Sequence, residues 1–536
     1  MKLIGRLAAP LLLFALLLAL HGAALVLTVR AQGDEIVVQP PCDEDALDVA
    51  LIIVKERAGG TITFNCGGPT AINVTTAKTI ELPTKIDGAG QITLNGGNGT
   101  RLFYVEADGN LTLSRLTLTR GFSPGDGGAI ANYGTLNIDR STIQNSNATG
   151  SGGAIVSYGP LNITASTFTG NSAANAGAIF PRFPGATTII VDSSLRANHA
   201  TSPVDGWGGA ILAWDGANVI MYGGTIEDNS ARAGGGIHNR FANSTITLTD
   251  VVVSGNLATD TVLKSDVNGG GLFNSAGRMY IYNSVISGND AAWVGGGLYN
   301  AGTVTIDGSV FTSNTALADG GGLASVGTAT ITGALFHNNS SGDNSGLSNR
   351  GTVTIQNATF SGNVVQEDGV LGNYGAATIQ NTTFSDNIDI SGQSGASTIV
   401  HASQQSLRLK NVVLKLFAGG FGGVNCSVSN LTGDVPIASD GFNLSDDISC
   451  APYFTKAGDK NNTDPQLGPL ADNGGSSRTH LPLPDSPLID GGQCIAGISA
   501  DQRGVARPQG AACDIGAVEV RSEEQMSRLF VPLVRR

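Results

Sequence analysis

Four carboxylates occupy one phase of a repeating pattern. Asp126, Asp319, Asp343 and Glu367 each stand four residues before an aliphatic residue (Ile130, Leu323, Leu347, Leu371) that closes a glycine-containing step. The last three belong to consecutive repeats. Carboxylates stacked at strand spacing, ~4.8 Å, repel one another unless a cation sits between them, and calcium takes such oxygen ligands. Asp319, Asp343 and Glu367 are therefore candidate calcium ligands, set against the plainer assignment as solvated turn carboxylates; no other cofactor is required. All three tryptophans keep the same company: Trp207 and Trp293 lie just before such aliphatic anchors and Trp214 just after one. Indole faces on a loop-bearing edge stack on sugars or anchor a protein partner, or simply cap the core beneath. Trp207, Trp214 and Trp293 are thus candidate ligand-binding residues for surface glycans or proteins.

Other chemistry is thinly represented. Arg408-Leu409-Lys410 is a lone basic pair whose simplest role is surface charge. His199, His238, His337, His401 and His480 are dispersed without metal-ligand spacing, and no CxxC pair exists. Serine and threonine are too abundant to single out a nucleophile. Glycoside cleavage needs two carboxyl groups facing each other about 5–9 Å apart, which stacked repeats could supply. With a formal charge of −13 and no basic stripe, the chain is a poor nucleic-acid binder.

Positioning these residues falls to a long repeat. Anchors recur at Ile130, Ile155, Ile179, Ile211, Ile237, Leu272, Leu298, Leu323, Leu347 and Leu371, mostly 24 to 26 residues apart. A second apolar series runs Ile138, Ile163, Ile190, Met221, Leu248, Ile281, Ile306, Ile331, Ile355, Ile379. A third follows each member by five residues: Ile143, Phe168, Leu195, Ile226, Val253, Ile286, Phe311, Phe336, Phe360, Phe384. The five-residue step never varies, and alternations such as Thr303-Val304-Thr305-Ile306 have the period of a strand. Asparagine stands three residues after the third series in nine of ten repeats, with Ser146 the exception, a spacing that lets side-chain amides stack from coil to coil. The 75 glycines suit tight turns rather than helices. The reading is all-β: a right-handed parallel β-helix, a solenoid of about twelve coils.

"GGAI", "STFTGNSA" and "GGGLYNAGTVTI" resemble the pectin-lyase-like right-handed β-helix, in particular the polymorphic outer-membrane type of repeat found in bacterial surface proteins, over about Ile86 to Phe384. Pectinolytic enzymes share that fold, but the Gly-His-Gly turn of its hydrolases and the RxPxxR pattern of its lyases are missing here. The stretch from Asp464 to Glu519, "DPQLGPLADNGG…DQRGVARPQGAACDIGAVE", is similar to the choice-of-anchor Q domain of exported bacterial proteins. That likeness implies secreted or surface placement and no reaction. The tail carries no LPxTG-type motif, and its apolar core is too short to span a bilayer.

The ends complete the expected organisation. Residues 1–31 read as a signal peptide with cleavage after Ala31, leaving no transmembrane span. Residues 32–70 form an N-terminal cap whose segment 43–57 is a helix covering the first coil, 71–420 the β-helix, 421–519 a C-terminal cap, and 520–536 a short tail. Six cysteines (Cys42, Cys66, Cys426, Cys450, Cys494, Cys513) allow fifteen connectivities; neighbour pairing is favoured because the long middle has none. The expectation is an exported, non-catalytic protein of the cell surface or extracellular matrix serving adhesion or display. A polysaccharide lyase or glycoside hydrolase acting in a groove of the helix is the alternative.

Overall fold

The computed structural model describes residues 29–32, 35–183, 187–259, 267–390, 396–416, 423–428, 433–522 and 524. Most of the expected signal peptide and nearly all of the tail lie outside the described residues.

The chain winds as a parallel β-solenoid of about fifteen turns, against the twelve expected, with one small helix. The extra turns come from the ends, where the period is too irregular to read. Most turns contribute to three sheets. An anchor sheet of 14 strands holds the residues at and after the glycine step, such as Leu298–Asn300. A broad sheet of 30 strands takes two strands per coil, such as Thr303–Asp307 and Val310–Thr312. A narrow sheet of 11 strands takes the pair after the asparagine, such as Thr315–Ala316.

Register is set by the alternation: Leu298 pairs with Leu323 and Leu323 with Leu347 in the anchor sheet, and Ile306 with Ile331 in the broad sheet. One residue of slip would turn every aliphatic side chain outward, so the buried face enforces the match. Phe311, Phe336, Phe360 and Phe384 form one column with ring centroids 5.0, 4.7 and 4.6 Å apart and planes within 14°. Each buried aromatic or aliphatic side chain contributes about 1.5–3 kcal/mol, largely offset by the entropy of ordering its coil. Glycine is required at Gly296, where a β-carbon would collide with the Thr315 carbonyl of the next coil.

Asparagines line the turn between the broad and narrow sheets. Each takes the next coil's Oδ1 as acceptor for both its backbone N–H and its Nδ2, as Asn289 does with Asn314 at 3.1 and 2.9 Å. Ser146 ends the file. A second file, unrecognised in the sequence, caps the end of the anchor strands, with Asn239 donating to Asn274 and Asn274 to Asn300.

Both ends of the core are closed. The helix Glu44–Glu56 is N-capped by Asp43, which accepts from the Ala46 N–H at 3.0 Å, and turns Ala46, Leu47, Ala50 and Val54 onto the first coil. Cys450 and Phe454 join the core at the other end. The disulfides are Cys42–Cys66, Cys426–Cys450 and Cys494–Cys513. Residues 464–520 depart from the expected end cap: they lie against the flank of the broad sheet. Thr359 donates to Gln502, Asn357 to the Ala500 carbonyl, and the Ala517 N–H to Thr383. The outward residues there are small or apolar (Leu335, Thr359, Thr383, Val413) and buried, so the flank offers a dry seat. Within this strap, buried Arg503 pairs with Asp501 and buried Arg507 with Glu519, each at 3.0 Å.

Candidate functional site

The outer face of the anchor sheet gathers most of the residues that could do chemistry. Each anchor points inward, so the residue after it points outward: Tyr104, Ala131, Val156, Phe180, Leu212, His238, Phe273 and Tyr299 in successive coils. One wall is built by the loops that precede the anchors and carry Trp207, Asp126 and Asp319. The opposite wall is the third residue after each anchor: Tyr133, Tyr158, Arg182, Trp214, Arg240, Arg350 and Tyr374.

The result is a continuous file of rings. Tyr104, Tyr133, Tyr158 and Phe183 follow one another with centroids 5.2, 4.5 and 5.7 Å apart. Arg182 continues the file, its guanidinium 5.2 Å from the Phe183 ring and 5.7 Å from that of Phe180. Phe180 meets Trp214 edge-on at 6.0 Å, and Trp214 stacks on Trp207 at 6.1 Å. His238 and Phe273 stack at 4.4 Å, and Phe273 meets Tyr299 at 5.0 Å. The file spans eight coils, about 34 Å at strand spacing. Tyr133 and Phe183 stay exposed, at 40% and 41%, which leaves apolar ring surface along the file open to a ligand. Arg240 lies flat over Trp207, 3.4 Å from the ring centroid. Burial first, and then Arg240, pull His238 down to about 3, so this imidazole is neutral.

Of the predicted aromatic residues, Trp207 and Trp214 are brought together across the face, while Trp293, 42% exposed, makes none of these ring contacts. The tyrosines, phenylalanines and arginines of the file were missed. Their signal was present: a fixed phase one and three residues after each anchor.

The acids lie farther along the same face. Trp207, Ala233, Asn268, Val294 and Asp319 form one column, linked coil to coil by bridges and by the Gly234 N–H to Asn268 carbonyl bond. The expected stack of Asp319, Asp343 and Glu367 does not form. Ser341 sits 25 residues after its partner Ala316, yet Leu347 only 24 after Leu323, so the shorter loop slips by one residue. Asn344, not Asp343, occupies the place above Asp319, and Gly369 follows it. Asp319 is buried and neutralised within the protein: it accepts from Asn344 Nδ2 at 3.0 Å, Ser348 Oγ at 2.7 Å and Arg350 at 3.1 Å. Asp343 is half-buried; burial first, then Asp319, Asp368 and Glu367, push it up to about 6. Tyr374 donates to Asp368 at 2.6 Å and carries the Arg350 guanidinium 4.5 Å above its ring. Among the described residues no three of His, Cys, Asp and Glu are placed to hold a metal ion.

The basic pair Arg408 and Lys410 lies elsewhere, on the broad sheet, tied to Asp440 and to Gln493 in the strap. No helix among the described residues is long and apolar enough to cross a membrane. No protein-family model, curated protein or solved structure matches the chain.

Proposed function

We propose that this chain is an exported, non-catalytic β-solenoid of the cell surface or extracellular matrix that holds glycan chains along the outer face of its anchor sheet. The observation that carries this reading is the eight-coil file of rings, with exposed tyrosine and phenylalanine surface on a rigid scaffold. Sugars pack against such a surface with little entropic cost, because the rings are already fixed. Three disulfides suit an oxidising, extracellular setting. The resemblance to polymorphic outer-membrane repeats and to the choice-of-anchor Q domain favours display. A glycan array with the wild type and Tyr133→Ala/Tyr158→Ala tests it: binding that disappears in a variant of unchanged melting temperature supports the reading, and equal binding by both proteins ends it.

Polysaccharide cleavage is the second reading, favoured by Asp343. A carboxyl held near 6 beside further carboxylates has the proton affinity of a general acid. Release of reducing ends from a panel of polysaccharides, abolished in Asp343→Ala, is the outcome it requires; no release from any of them discards it.

A further inference from the structure

Two arginines on the aromatic face have donors that the protein itself does not satisfy. The Arg240 guanidinium covers the Trp207 indole, with Trp214 5.2 Å and Phe241 5.8 Å away, and among the described residues it forms no hydrogen bond and no ion pair. The acid whose field acts on it is Asp205. Arg182, held among Tyr158, Phe180 and Phe183, reaches across the face to Asp126 at 4.0 Å, the limit of an ion pair, and its buried Nε has no hydrogen-bond partner. A buried donor such as the Arg182 Nε without an acceptor is costly. Arg350, at the same phase, forms a tight pair with Asp319 at 3.1 Å. The position therefore tolerates a full ion pair, and Arg182 and Arg240 lack one.

We propose, on the basis of the glycan reading above, that the occupant of the aromatic face is an acidic glycan whose carboxylate or sulfate groups are received by Arg182 and Arg240. Stacking a guanidinium on an indole leaves its N–H edges in the ring plane, where they present the planar fork that matches two anionic oxygens. The two arginines stand two coils apart, about 10 Å along the axis, so one polymer meets both while its sugars lie on the neighbouring rings. A chain with a net charge of −13 repels polyanions over most of its surface. Asp343, Glu367 and Asp368 do the same on the C-terminal part of this face, which confines the acidic glycan to the coils between Tyr104 and Tyr299.

Affinity electrophoresis of the full chain separates the possibilities, using dextran against dextran sulfate for the sulfate arm and alginate against its neutral propylene-glycol ester for the carboxylate arm. Retardation by one or both acidic polymers should exceed that by the neutral counterpart and collapse near 1 M salt, where the screening length is ~3 Å. Arg182→Gln/Arg240→Gln should weaken it by about tenfold or more, the size of a lost charge-assisted hydrogen bond. Arg196→Gln, on the broad sheet, should leave it unchanged. Equal retardation by acidic and neutral polymers, or a double variant with a wild-type melting temperature and wild-type retardation by the acidic ones, overturns the anionic assignment while glycan binding stands. An array and gels without any glycan binding overturn both.

Discussion

Replacing Asn289 by alanine tests the asparagine file and the idea that each coil is held by its neighbours. Asn289 Oδ1 accepts from the Asn256 backbone N–H at 3.0 Å and from Asn256 Nδ2 at 2.9 Å, while its own Nδ2 donates to the Val253 carbonyl and to Asn314 Oδ1. All of these groups are buried. Asn256 Nδ2 keeps the Ile226 carbonyl, Asn314 Oδ1 keeps the residue 289 N–H, and the Val253 carbonyl keeps its ladder bond to the neighbouring strand, so one group is newly orphaned: the Asn256 N–H. At about 1–3 kcal/mol for a buried unsatisfied group, the cost is about 1–3 kcal/mol. In a solenoid that cost is borne by the adjoining coils. Hydrogen exchange should therefore accelerate at Asn256 and its neighbours and stay unchanged at Ile355, more than two coils away. Serine at this position should recover part of the loss, because Ser146, in the same phase, accepts the Gly121 N–H through its hydroxyl at 3.2 Å. Urea unfolding that places Asn289→Ala within about 0.5 kcal/mol of wild type, the range of an ordinary surface change, with exchange at Asn256 unaltered, would refute the reasoning.

Phe336→Ala removes the middle of the phenylalanine column and should cost about 3–5 kcal/mol in urea unfolding, with Phe336→Leu well below that. Asp343 is raised in the folded protein, so the folded state binds its proton more tightly than the unfolded chain; stability should fall as pH rises from its ordinary value towards about 6, and Asp343→Asn should melt higher than wild type at pH 7 but not at acid pH. Glu44 has the opposite sign. Burial raises its pKa, but Lys78 at 2.6 Å, then Thr75 and Thr76, outweigh it and hold the carboxyl at about 2; its stabilisation is present above the unfolded value and lost as pH falls towards 2, so Glu44→Gln should lower the melting temperature at neutral pH and converge with wild type near pH 2. Gln502→Ala removes the donor and acceptor that tie the strap to Thr359 and the Ala334 carbonyl, and limited proteolysis within 464–520 should speed up while the solenoid stays intact.

Periodicity alone determined the solenoid. Three recurring series, two of them locked at a five-residue offset, leave only one way to bury Leu298, Ile306 and Phe311 together, which is to wind once per period and place equivalents above one another. The asparagine file was legible for the same reason, since a buried amide on a translational repeat can always find its own copy. The number of coils was less legible, because the terminal turns lack the repeat. The strap was not legible at all: its seat depends on which outward residues of distant coils are small, and Gln502 meets Ala334 across 168 positions.

For the candidate site, sequence placed tryptophans and acids on one loop-bearing edge but joined the wrong partners. A fixed count back from the anchor put Asp343 above Asp319, whereas the one-residue slip in the shorter loop put Asn344 there. Local loop length, resolved only by packing, decided that register. Likewise Arg182 and Arg240 were ordinary surface cations until the winding laid them across the sheet onto Phe180 and Trp207. Repetition along the chain specifies what lies above and below a residue, because translation preserves it. What lies across the coil is set by turns and side-chain reach, and that only the tertiary structure decided.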